Sequence, residues 1–163
     1  MQSPGWSRRL DGLERACLVG AALALVAMSL LQAWQVFGRY VLNASPGWTE
    51  PVALVLMSLA VMLGAAVAVR HEIHFSFSMV AQSGPPARQA ALRLLARLVA
   101  AGCGLLMAVY GTRLLLDDWD VPMAGAGMPA GMRFLGLALG GAFIFLFAVE
   151  RIAGGGPVPA EDR

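Results

Sequence analysis

Four stretches of this chain carry no charge at all: residues 16–38, 51–69, 98–112 and 134–149, of 23, 19, 15 and 16 residues. A helix needs about 20 apolar residues to cross a hydrocarbon core of about 30 Å. The first two stretches meet that length, and the last two reach it with their flanking arginines. Arg97, Arg113 and Arg133 can lay their stems along lipid and lift the guanidinium to the headgroups. Of the 163 residues 58% are apolar and 13% charged, with a mean hydropathy of +0.68, whereas soluble domains run at about half and about a quarter. A water-soluble enzyme is excluded. The expected fold is all-α, an integral membrane four-helix bundle forming one domain over residues 16–152.

The spans are expected at about 16–37, 49–69, 94–113 and 131–151, after a short polar lead (1–15) with little structure and before a disordered Gly- and Pro-rich tail (153–163). Arg8, Arg9 and Arg15 ahead of an apolar run have the makings of a secretory signal. The run is long and no small-residue cleavage site follows, so it reads as the first span. Cys17 and Cys103 both lie in apolar blocks, which leaves no disulfide framework. With four spans the termini and the middle loop share one side. That side holds nine arginines (Arg8, Arg9, Arg15, Arg70, Arg88, Arg93, Arg97, Arg151, Arg163) and the other three (Arg39, Arg113, Arg133), which together make the 12 basic residues. The positive-inside rule puts both termini in the cytoplasm, in a bacterial inner membrane.

Between spans 1 and 2, residues 38–47 make a short outer turn. The run Ser45, Pro46, Gly47, Trp48, Thr49, Glu50, Pro51 has the chemistry of a helix start: a hydroxyl cap, prolines, and a carboxylate near the positive end of the dipole. Residues 70–97 are amphipathic. Phe75, Phe77 and Met79 alternate with Ser76 and Ser78, Gly84, Pro85 and Pro86 break the chain, and Gln89, Arg93 and Arg97 then recur every four residues opposite leucines. That is the pattern of an interfacial segment between helices 2 and 3, whose helical second part lies in or enters the inner leaflet and continues directly into span 3. Small residues recur at four-residue spacing in every span (Ala16, Gly20, Ala24; Ala60, Gly64, Ala68; Ala100, Gly104, Ala108; Gly136, Gly140), as in helices that approach closely in lipid. So abundant are alanine and glycine that chance explains such spacing equally well.

No span carries near mid-membrane the ionisable or ion-coordinating group that a pump or self-sufficient carrier normally needs there. The polar side chains inside the spans are Ser29, Ser58 and Thr112, each able to bond a carbonyl one turn back. Broken helices around a substrate site are absent from the pattern as well. His71 and His74, three apart, are read as a solvated or interface pair rather than haem or metal ligands, since no third ligand is in sight. Asp117, Asp118 and Asp120 are read as an acidic loop rather than a cation site, and Asn43-Ala44-Ser45 as a chance glycosylation triplet. No cofactor, nucleophile, phosphate loop or nucleic-acid patch is expected. Arg39 and Glu50 flank the first turn and would either pair with each other, worth under about 1 kcal/mol if exposed, or each engage a partner.

Arg39, Tyr40, Val41, Leu42 and Asn43, then Trp48, Thr49 and Glu50, Gly64 late in helix 2 and His74 beyond it resemble the small permease subunit of tripartite ATP-independent periplasmic (TRAP) transporters, the DctQ family. The likeness extends to length, four-span layout and the proline-bearing entry to helix 4. The chain departs from the family pattern at Pro51 and at Ser76 and Ser78, where acids are common. The resemblance implies a periplasmic solute-binding protein that captures an organic acid or similar solute, a large permease that moves it on a sodium gradient, and a small subunit acting as a static scaffold in the bilayer. It further implies that Arg39, Tyr40, Asn43, Trp48 and Glu50 fix the outer corner, Gly64 a close helix contact and His74 the inner turn. Two other classes compete. A membrane anchor for a haem or quinone complex would want histidines on different spans. An oligomeric small exporter would want an acid inside a span.

Overall fold

A computed structural model describes residues 4–44, 46–71 and 86–154. Within them the chain forms four long helices, α1 (Pro4–Tyr40), α2 (Thr49–Arg70), α3 (Pro86–Asp117) and α4 (Leu135–Gly154), the last preceded by a 3-10 turn at Ala130–Phe134. All four are long and apolar enough to cross a membrane, and the all-α, four-span fold is as the charge-free blocks require. Their side chains fit lipid rather than water. Leu23 and Leu30 on α1 are 64% and 67% exposed, and Leu54, Val61, Leu95, Leu106 and Leu139 also stand on the surface.

The helices form an open row rather than a closed ring. α1 packs on α2, α2 on α4 and α4 on α3, so that α1 and α3 are the edges and the last helix in sequence fills an interior place. The α2–α4 and α4–α3 contacts are made through glycines. A methyl built on Gly104 would lie 2.6 Å from the backbone nitrogen of Phe145, and one on Gly111 2.7 Å from that of Ala138. At Gly136 and Gly140 it would run into Ser58 and Met62 of α2. These positions let two backbones touch, the packing that association in lipid relies on. A larger cluster joins Leu10 and Cys17 of α1, Leu63, Ala66 and Val67 of α2, and Ile144 and Phe147 of α4; a smaller one joins Ala100, Ala101 and Ala148 between α3 and α4.

One expectation changes. Residues 4–15, read as an unstructured lead, continue α1, which spans 37 residues or about 55 Å at 1.5 Å per residue, well beyond a core of about 30 Å. Leu10, Leu13 and Cys17 recur on one face and pack into the larger cluster; tertiary contact, rather than propensity, holds these turns. Of the amphipathic stretch, residues 72–85 lie outside the described residues, and 86–97 are the first turns of α3, running into its span without a break as expected.

Candidate functional site

At the end of the row that bears residues 4–15, Arg70 is the charged side chain to examine, because it is only 6% exposed. Its guanidinium has five N–H donors, and every one is used. Nε bonds Glu150 Oε2 at 3.1 Å and Nη2 bonds Glu150 Oε1 at 3.3 Å, a two-pronged grip. Nη2 also reaches Asp11 at 2.7 Å, while Nη1 donates to the Leu10 carbonyl at 3.0 Å and to Glu14. The Phe147 ring lies under the cation, 5.5 Å from its carbon to the centroid, a favourable placement. Glu14 also meets His71 Nε2.

The backbone extends this tie across the whole row. The Arg70 carbonyl, at the end of α2 with no partner inside its own helix, accepts from Arg151 Nε at 2.6 Å. The Arg151 carbonyl in turn accepts from Arg97 Nη1 at 2.8 Å. The sequence of links runs α1, α2, α4, α3, the packing order. Glu14 and Glu150 are 17% and 18% exposed and Asp11 58%, so Asp11 is the weakly held member. Sequence reasoning had used Arg70 only as a topological charge. A signal was present: Asp11 and Glu14 stand three apart on one helix face, and Glu150 ends the last charge-free block.

The other end of the row carries the turn between α1 and α2 and the loop from α3 to α4. Residue 43 takes a left-handed backbone (φ 50°), where asparagine is among the few tolerated L residues; it turns the chain so that Ala44 N–H bonds the Gly38 carbonyl at 3.0 Å. Thr49 is fully buried and its hydroxyl donates to the Pro46 carbonyl at 2.8 Å. The start of α2 has no side-chain cap; Ser45 lies outside the described residues. Tyr40 and Trp48 stand 77% and 43% exposed. Arg39 and Glu50 are both exposed and make no ion pair with each other, the first of the two alternatives for them. Gly64, expected at a close helix contact, is exposed, and a methyl there would meet nothing within 4 Å; α2 uses its other faces for α1 and α4. His74 lies outside the described residues.

The α3–α4 loop folds back on itself through Met123 N–H to Met128 O (2.8 Å) and Ala130 N–H to Val121 O (2.7 Å). Its tip, Gly125 (φ 84°), lies against Gly47, where any side chain would collide with the Gly47 carbonyl. Between this loop and the first turns of α2 is an open cleft of about 410 Å³ walled by Glu50, Pro51, Leu54, Met123 and Arg133. Arg133 pairs with Asp118 and lies over Phe134. Among the described residues no three His, Cys, Asp or Glu side chains converge as metal ligands would. Inside the spans, Ser29 and Thr112 bond the carbonyls of Leu25 and Ala108 one turn back, whereas Ser58 places its hydroxyl against Gly136.

Four membrane-crossing helices, with the ionic groups gathered at their ends, define a multi-pass membrane protein. Comparison with protein-family models matches residues 28–155 to the tripartite ATP-independent periplasmic transporters, DctQ component, and the chain belongs to that family. It is thus a component of a tripartite transporter, in the class of small permease subunits. No curated protein matches the chain in a sequence comparison.

Proposed function

We infer that the chain scaffolds the large permease of a TRAP transporter in a bacterial inner membrane, with both termini cytoplasmic, and takes no part in the chemistry of transport. The large permease and a periplasmic solute-binding protein are its partners, and sodium-coupled uptake of an organic acid or similar solute is the activity it serves. The family match supports the partners. The observation that carries the scaffold role is the placement of charge: the buried ionic cluster sits at the helix ends, and the interior of each span holds no acidic or basic side chain. Such a span lacks the group that ion or proton coupling normally uses. The arginine asymmetry supports the orientation. On this reading Arg39, Tyr40, Asn43 and Trp48, on the edge helix and its turn, form the corner that meets the large subunit, with Glu50 beside them. Arg39 and Glu50, unpaired among the described residues, are then available to a partner.

Co-purification of the tagged protein from native membranes in mild detergent tests the role. One large polytopic permease at fixed stoichiometry and no haem absorbance is the expected result; recovery of redox subunits with a haem band would overturn it. Arg39→Ala and Glu50→Ala should each lower the yield of the complex while the small subunit itself still accumulates. Wild-type complex yield and uptake in both would remove these residues from the interface.

A further inference from the structure

The geometry points to the cleft between α2 and the α3–α4 loop as a binding site for the headgroup of a phospholipid with a primary ammonium, such as phosphatidylethanolamine. Three independent features converge there. The cleft presents charges of both signs: Glu50, which has no hydrogen-bonded or ionic partner among the described residues, and Arg133, whose Nη2 holds Asp118 and leaves its other donors free. With Asp118 already satisfied by Arg133, Glu50 is the carboxylate left to receive an ammonium, and the guanidinium can still donate to a phosphodiester. The cleft also lies at the helix ends that carry the exposed aromatic side chains Tyr40, Trp48 and Trp119, residues that favour the headgroup region. Its membrane-side wall is Leu54, which opens an exposed apolar stripe with Met57 and Val61 along one face of α2. At three- and four-residue spacing these side chains lie in line, a track for one acyl chain below the head.

A zwitterionic head on an acyl chain matches this combination better than a soluble ligand or a peptide side chain does. A soluble zwitterion leaves the Leu54 stripe uncovered, and a lone lysine or arginine of a partner leaves Arg133 unused. An N–H-bearing ammonium is preferred over a choline head, because Glu50 can accept a charge-assisted hydrogen bond only from the former. A glycerol head offers Glu50 only neutral hydroxyl donors and leaves the carboxylate charge uncompensated. Glu50 also stands beside the corner assigned to the large subunit, so the lipid sits at the edge of that contact, and the isolated chain reads lipid retention apart from subunit assembly.

The test uses the full chain reconstituted in nanodiscs of equal phosphatidylethanolamine, phosphatidylglycerol and phosphatidylcholine, released and weighed by native mass spectrometry. One ethanolamine lipid should be retained in clear excess over the other two. Glu50→Gln should reduce that retention about tenfold, as expected for losing a charge-assisted contact, and Arg133→Gln should reduce retention of every class. Asp120→Asn, an exposed acid that does not line the cleft, should leave it unchanged. Glu50 is exposed and partnerless, so its amide variant should fold, which a matched melting temperature checks. Equal retention by Glu50→Gln, a preference for the glycerol or choline lipid, or no retained lipid in a folded chain would each overturn the assignment.

Discussion

At the scale of single residues, Arg70 is where geometry is least replaceable. Five donors in a flat fork meet acceptors on two other helices, and lysine offers a point charge that cannot reproduce that fork. Breaking such a buried arrangement by removing one partner strands the rest, at about 3–5 kcal/mol. Arg70→Lys and Arg70→Met should therefore both lower the melting temperature of the purified chain substantially, and a lysine variant within a degree of wild type would show that the fork is dispensable. Asp11→Asn should cost far less, because Asp11 is more than half exposed and exposed pairs are worth about 0–1 kcal/mol. Asn43 gives a second contrast at this scale. Asn43→Gly keeps the left-handed turn and should be neutral, whereas Asn43→Val forces a β-branched residue into it, at about 1–3 kcal/mol, read out by the same melting curve. That residues 38–47 turn was legible in the sequence, but not that Asn43 is the residue that takes the left-handed backbone. The role of Arg70 was not, because a terminal arginine satisfies the topology rule whether it faces lipid headgroups or three carboxylates.

At the scale of elements, the charge-free blocks located all four helices, since desolvating a charge inside a membrane outweighs every local preference. They could not locate the ends. The first helix starts at Pro4 because its face around Leu10 and Cys17 is buried, a tertiary fact invisible to composition. Nor could spacing tell working glycines from idle ones, since the same four-residue period runs through α2, where Gly64 faces outward, and α4, where Gly136 and Gly140 touch α2. Gly140→Ala should drive a methyl into the backbone of α2 and cost about 1–3 kcal/mol by overpacking, while Gly64→Ala should leave the isolated chain as stable as wild type. A loss of stability for Gly64→Ala in the purified chain would contradict the packing described here. The same variant losing only its yield of complex would assign that glycine to a contact with another subunit.

For the whole molecule, the open row means that no helix pair closes the structure, and each junction must hold by itself. Because α2 meets α4 directly and α3 packs chiefly on α4 and the 3-10 turn before it, co-expressed fragments 1–84 and 85–163 should re-associate and co-purify. Fragments 1–84 and 85–122 should not, because the helix that joins them is missing. Recovery of the second pair would show that α3 has a docking place on α1 or α2. The four-helix count and the absence of charge within the spans were legible from the start, whereas the order of the row was not, since short connections favour sequence neighbours and here α4 separates α2 from α3.

That order has a consequence for how the chain is made. Synthesis delivers helices from the N-terminus, so α1 and α2 enter the bilayer together and can begin to settle, but Arg70 still lacks Glu150 and Phe147. The third helix then arrives with no neighbour to join and must wait in lipid on its own. The final helix supplies both missing partners of Arg70 and the glycine face that α3 requires. Assembly is thus completed by the last part to be translated, and a ribosome that stops short of residue 135 leaves a product with an incompletely compensated arginine and an orphaned span, the kind of surface by which membrane quality control recognises an unfinished protein.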